Sequence, residues 1–210
     1  MDELHTALTE LQNSNAEIRE LALDKIGTLK PNNAFEIILP FINDADPELR
    51  GTAACNLGDI SDSKSIPYLI RLAETDLSEK VRSEALSALG NFKSDAILNC
   101  LLNEVYREKK SRRPRQIVAK QLQHYDNNRS VDALILLLLE DDDVYVRIFA
   151  ADSLFALNSH KLGPVWKQAL EDESTYIIEV AEKALRNLQN STNLIEAGVN
   201  VRAERKSDIE

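Results

Sequence analysis

The 210 residues carry 35 acidic and 25 basic side chains, a net charge of −10 at neutral pH. That charge speaks against a surface that neutralises the phosphates of DNA, RNA or an anionic membrane, and for a partner with basic patches. Six glycines, six prolines and 5% aromatic residues are too few for a loop-rich β protein and fit a core of Leu, Ile, Val and Ala. Cys55 and Cys100 lack C-x-x-C spacing and read as small apolar fillers in a reducing compartment. The opening MDELHTALTEL has neither the basic region nor the apolar run of a signal peptide. No stretch approaches the roughly 20 apolar residues of a membrane span. The expectation is a cytoplasmic protein that binds neither nucleic acid nor membrane.

Along the chain one short pattern returns six times. Its anchors are Ile18, Leu49, Val81, Pro114, Val146 and Ile177, at intervals of 31 to 33 residues. Four positions later stand Ala22, Ala53, Ala85, Val118, Ala150 and Ala181; eight later stand Ile26, Leu57, Leu89, Leu122, Leu154 and Leu185. Offsets of 0, 4 and 8 mark one face of an α-helix. A helical unit at a fixed period of this length means a solenoid, whose stacked units form a long face suited to binding. The pattern predicts helices near 2–12, 16–29, 33–43, 47–58, 64–74, 79–91, 95–107, 112–125, 130–140, 144–157, 161–171 and 175–189. They form six pairs in one all-α domain over residues 1–190, a right-handed α-α superhelix. Residues 191–210 break the repeat and read as a capping segment followed by disorder.

The second helix of each pair opens on an N-cap residue three positions before its anchor: Asn15, Asp46, Ser78, Ser111, Asp143 and Ser174. Two positions earlier stand Asn13, Asp44, Asp76, Lys109, Asp141 and Asp172. Directly after the anchor come Arg19, Arg50, Arg82, Arg115 and Arg147. Twenty positions on, Ile38, Leu69, Leu101, Leu134 and Trp166 anchor the first helix of the following pair.

The stretch DADPELRGTAACNLGDISDSKSIPYLIRLAE, residues 44–74, resembles the HEAT-like repeat of the phycobilisome-lyase type. That pattern reads D-x-D-x-x-V-R-x-x-A-x-x-A-L-G, a short link, then A-I-P-x-L, and Asp44, Asp46, Leu49, Arg50, Ala53, Leu57, Gly58, Ile66, Pro67 and Leu69 match it. Residues 75–92 and 141–157 match it almost as well. The resemblance implies that the Asp and Arg rows stack into a ladder between neighbouring units, so that Arg82 pairs with the Asp row. The charges repeat with the fold, which a single active site would not require.

Departures from the repeat point to function. REKKSRRPR, residues 107–115, carries six basic residues and one acid, a local +5, leaving −15 on the rest of the chain. Lys109 stands where other units have Asp or Asn, and Pro114 replaces the apolar anchor, giving up apolar burial. The helix start there loses its acid and gains Lys109, Lys110, Arg112 and Arg113, a setting for an acidic surface or phosphorylated ligand. A second candidate is the ridge of the second helices, where Ile117 and Phe149 mix with Lys120, His124 and Asp152. The competing reading packs Ile117 and Phe149 between helices.

No H-E-x-x-H, His-Glu pair, Cys/His cluster, Walker loop or G-x-S-x-G occurs, so no metal site or catalytic residue is assigned. The function expected is a non-enzymatic HEAT-repeat scaffold gripping a protein partner along its concave face, without a cofactor. Two alternatives stay open. One, implied by the resemblance, is a bilin lyase subunit or phycobiliprotein-associated chaperone, with a bilin as cofactor. The other is a bacterial toxin-neutralising or regulatory binding protein.

Overall fold

The computed structural model describes residues 2–107, 111–158 and 160–196, with His160 and the last six by their backbone alone. Among them are twelve α-helices and no strand: α1 (Glu3–Glu10), α2 (Ala16–Leu29), α3 (Ala34–Ile38), α4 (Pro47–Asp59), α5 (Ile66–Thr75), α6 (Glu79–Leu89), α7 (Asp95–Val105), α8 (Arg112–Gln121), α9 (Asn128–Glu140), α10 (Val144–Leu157), α11 (Gly163–Ala169) and α12 (Thr175–Glu196).

The differences from expectation lie at the ends. The helix expected over 33–43 gives way after Ile38 to a 3₁₀ turn, Leu39–Asn43. Pro40 cannot donate to the carbonyl four residues back, and its ring crowds it. Helix α12 runs seven residues past the expected end at 189, to Glu196. It meets no glycine or proline before Gly198, and the polar run Asn190–Ser191–Thr192 is no barrier to an already nucleated helix. The rest of the expected tail, 197–210, lies outside the described residues.

The chain divides into two compact units, Met1–Tyr125 and Asp126–Glu210. In the first, α1 pairs with α2, α3 with α4, α5 with α6 and α7 with α8; the second helices α2, α4, α6 and α8 contact one another in series. In the second, α9 pairs with α10 and α11 with α12, and α10 contacts α12. The repeat rows form the core: Leu49, Ala53 and Leu57 of α4, Val81, Ala85 and Leu89 of α6, and Val146, Ala150 and Leu154 of α10 are fully buried. Trp166 is buried at its core leucine position. Pro114 is also buried, so the anchor of α8 keeps its burial after all. A proline ring is apolar, and in the first helical turn its missing N–H costs no intrahelical bond.

Helix α4 approaches α6 closely. A β-carbon on Gly58 would lie 2.6 Å from Ala88 Cβ and 2.8 Å from Ala88 Cα. The glycine that ends the A-x-x-A-L-G pattern is therefore a packing requirement between second helices.

Two rungs of the ladder form, and a third is altered. Arg50 donates from Nε and Nη2 to the two carboxylate oxygens of Asp76, at 2.8 and 3.0 Å, and from Nη1 to the carbonyls of Asp44 and Ala45. Arg147 repeats this with Asp172, at 2.8 and 3.3 Å, and with the carbonyls of Asp141 and Asp142. The row aspartates also shape the turn before the next helix, since Asp44, Asp76, Asp141 and Asp172 each accept from the N–H two residues on. Burial pushes the Asp76 carboxyl up, but the hydrogen bonds from Arg50 and the Ser78 N–H hold it below its ordinary value.

Arg82 breaks the expected pairing. It keeps the carbonyls of Asp76 and Leu77, but its Nη2 donates to Ser111 Oγ at 2.8 Å. Its Nε is buried without a hydrogen-bond partner among the described residues. Asn15, Asp46, Ser78 and Asp143 cap their helices as expected, whereas Ser111 makes no cap bond. With lysine in place of aspartate at 109, the N-cap serine is drawn to the arginine instead.

The candidate binding ridge of the second helices

The positions one before each anchor, and three, six and ten after it, fall on one stripe of each second helix, away from the buried rows. On α2, α4 and α6 this stripe is mostly polar, with Leu21 an exposed apolar exception. It carries Glu17, Leu21, Asp24 and Thr28 on α2, then Glu48, Thr52, Cys55 and Asp59 on α4. Lys80, Glu84 and Ser87 follow on α6, with Asn91 just beyond. Side chains lace neighbouring helices together. Thr52 donates to Glu20 at 3.1 Å, Lys80 forms an ion pair with Glu48, and Asn91 Nδ2 donates to the Gly58 carbonyl at 3.0 Å. Asp24, Gly51, Thr52, Cys55, Lys80 and Glu84 line a shallow cleft of about 230 Å³.

Within that cleft the Cys55 thiol donates to Glu84 Oε2 at 3.1 Å. Burial, then the hydrogen bond to Glu84, push the thiol up to about 12. Cys100 is likewise pushed up to about 12, by burial. Both are thiols at neutral pH, and a thiol is a poor nucleophile beside a thiolate.

Part of the expected basic segment is engaged in contacts of its own. Lys109 and Lys110 lie outside the described residues. Arg112 and Arg113 are exposed at the start of α8. Arg113 is held by Glu84 at 3.0 Å, and its backbone N–H donates to Glu79 Oε1 at 3.3 Å. The helix start thus regains an acid from the preceding unit, which the local sequence did not suggest. Arg107 donates to Glu104 Oε2 at 2.6 Å and to the carbonyls of Ala73 and Glu74. Arg115 is only 3% exposed. Glu104, at 2% exposure inside the apolar run LLNEV, is the buried counter-charge that sequence reading missed. Burial pushes its carboxyl up, against the pull of Arg107, and its Oε1 has no hydrogen-bond partner among the described residues.

Arg113, Ile117, Lys120 and His124 share the stripe of α8 and the 3₁₀ turn that follows it. Lys120 and His124 are exposed and Ile117 is half-buried. Phe149 and Asp152 belong to the second unit, on α10. Their stripe differs in kind: Tyr145, Phe149, Asp152 and Ala156 on α10, with Tyr176, Val180, Lys183 and Asn187 on α12. Tyr145 is 56% and Tyr176 45% exposed. The Tyr176 hydroxyl donates to Asp152 Oδ1 at 2.9 Å, and that bond raises its pKa. Lys183 Nζ sits 5.1 Å from the centre of the Phe155 ring. Sequence reading passed over Tyr145 and Tyr176; the signal was there in the row one position before each anchor.

No helix among the described residues is long and apolar enough to cross a membrane. The family of HEAT repeats matches residues 4–90. No curated protein matches the chain. Among solved structures, an engineered protein superimposes with a TM-score of 0.62 at 18% identity, over 90% of this chain and 98% of that one. The complex of CpcE and CpcF of phycocyanin lyase from Nostoc sp. PCC7120 does so with a TM-score of 0.60 at 22% identity, over 85% and 74%. A second engineered protein gives 0.59 at 18% identity, over 89% and 58%. Residues 4–90 are therefore HEAT repeats, and the chain has the all-α superhelical fold of the HEAT-like proteins it resembles.

Proposed function

We propose that this chain is a non-enzymatic scaffold that holds a protein partner along the stripe of its second helices, as its concave face. One observation carries the reading. The repeated charges are consumed by the ladder, as in Arg50–Asp76 and Arg147–Asp172, while the second-helix stripes keep exposed groups that vary from unit to unit. Groups repeated in every unit serve the fold; groups that vary on a shared face carry specificity. The proposed contacts are Arg112, Arg113, Ile117, Lys120 and His124 of the first unit and Phe149 and Asp152 of the second, with Lys109 and Lys110 assigned from sequence alone. Affinity capture with crosslinking from the source cell tests it. A partner recovered with the native chain and lost with Ile117→Glu/Lys120→Glu is the expected result. Turnover of a substrate by the purified chain, abolished by one point mutation, would overturn it.

A second reading rests on the likeness to the phycocyanin lyase pair. In it the chain holds a bilin or a phycobiliprotein. Added bilin should then bind with a shift in red absorbance; an unchanged spectrum rejects it.

A further inference from the structure

The two stripes of the second unit are aromatic where those of α2, α4 and α6 are not. Tyr145 and Tyr176 occupy the same repeat position on adjacent, contacting helices, where the preceding units carry Glu17, Glu48, Lys80 and Arg113. Both rings are about half exposed. Large exposed aromatic side chains on one face are the residue types that anchor interfaces. Asp152, on the same stripe of α10 as Tyr145, is joined to the other ring: its carboxylate accepts from the Tyr176 hydroxyl and is itself exposed. A cation already packs on an aromatic ring in this unit, with Lys183 over Phe155. Phenol rings beside a carboxylate recognise a planar cation better than a neutral or anionic group, because the ring faces and the carboxylate attract the same charge.

We propose that the α10–α12 face receives an arginine-bearing segment of a protein partner. The guanidinium stacks on Tyr145 or Tyr176 and pairs with Asp152. The chain's net charge of −10 draws a basic segment in from a distance, and the rings distinguish arginine from lysine. This deepens the scaffold reading above and rests on it for the partner being a protein.

The test uses the full chain and three labelled peptides of alternating glycine and a second residue: arginine, lysine or uncharged citrulline. Binding is followed by fluorescence anisotropy at low and physiological salt. The native chain should bind the arginine peptide several-fold tighter than the lysine peptide. Tyr145→Ala/Tyr176→Ala should weaken arginine-peptide binding about tenfold and erase that preference. Tyr145→Phe/Tyr176→Phe should keep it, and circular dichroism should show the same helicity for all three chains. Equal affinity for arginine and lysine peptides, or loss of binding only on Glu48→Gln/Glu84→Gln in the first unit, would overturn the inference. A captured cellular partner that is indifferent to the tyrosine substitutions also overturns it while leaving the scaffold reading intact. Arginine-selective binding with no cellular protein captured would instead support this face and count against the scaffold.

Discussion

Two junctions in the first unit solve one packing problem in different ways. Between α4 and α6 the rung is a forked Arg50–Asp76 pair, and the helices close to van der Waals distance through Gly58 against Ala88. Between α6 and α8 the aspartate is absent. Arg82 takes a serine hydroxyl, Glu104 is buried as counter-charge, and a β-carbon on Gly90 would meet the flexible Gln121 side chain at 2.7 Å. The first junction is specified by charge geometry and a rigid backbone approach; the second combines Arg82 bonds to neutral acceptors, a more exposed Arg113–Glu84 pair and adaptable side chains. The carbonyl anchors of the arginine survive in both, so the arginine belongs to the turn as much as to its partner.

Breaking the tighter junction should have the largest effect. Arg50→Ala removes a forked, charge-assisted pair and leaves Asp76 buried without its partner, which should cost about 3 kcal/mol in chemical denaturation. A loss as small as that of Arg82→Ala would erase the contrast.

The two junctions should also differ in sign against pH. Asp76 has a lowered folded pKa, so its contribution is fully present above the unfolded carboxylate value near 3.9 and is lost as pH falls through the folded value. Asp76→Asn should therefore flatten acid denaturation below about pH 4. Glu104 has a raised folded pKa: the folded state binds its proton more tightly, so stability falls as pH rises through the interval between its unfolded and folded values. The advantage of the native chain over Glu104→Gln should accordingly grow as pH is lowered from neutrality towards 4.5. Melting temperatures of both variants across that range check the opposed slopes.

Gly58→Ala forces backbone against Ala88 and should cost about 2 kcal/mol. Gly90→Ala displaces Gln121 from its bond to the Leu86 carbonyl and crowds the Ser87 carbonyl at 3.0 Å, and should cost about 1 kcal/mol, less than Gly58→Ala because the nearest neighbour is a side chain. Equal penalties would show that the second junction is as rigid as the first. Arg82→Ala, which gives up hydrogen bonds to neutral acceptors, should cost about 1–2 kcal/mol. The smallest effect is a gain. Ser111→Asp offers Arg82 a carboxylate at a helix N-terminus and should stabilise by about 0.5 kcal/mol, read as a higher melting temperature.

Much of this was legible because a repeat tests itself. The boundaries of α2 and α10 were predicted as found, since apolar offsets and N-caps agree in every copy. Pro40 was visible, yet its 3₁₀ consequence was not, because the pattern around it still had helical period. The binding stripe was only partly read. Ile117, Lys120, His124, Phe149 and Asp152 stood out as a mixture of apolar and charged residues on the exposed ridge. Tyr145 and Tyr176 did not, because the row one position before each anchor was not read as part of that ridge.

By itself the sequence determined the period, the all-α class, the core rows and the caps, all of which depend on contacts within a helix or between neighbouring units at fixed spacing. Only tertiary structure decided what Arg107 and Arg113 do. Glu84, which pairs with the Arg113 guanidinium, lies 29 positions before it; Glu79, which accepts from the Arg113 backbone N–H, lies 34 before; and the backbone carbonyl of Glu74, which accepts from Arg107, lies 33 before. Which acid meets which base across helices depends on side-chain reach and helix offset, and periodicity carries no information about either.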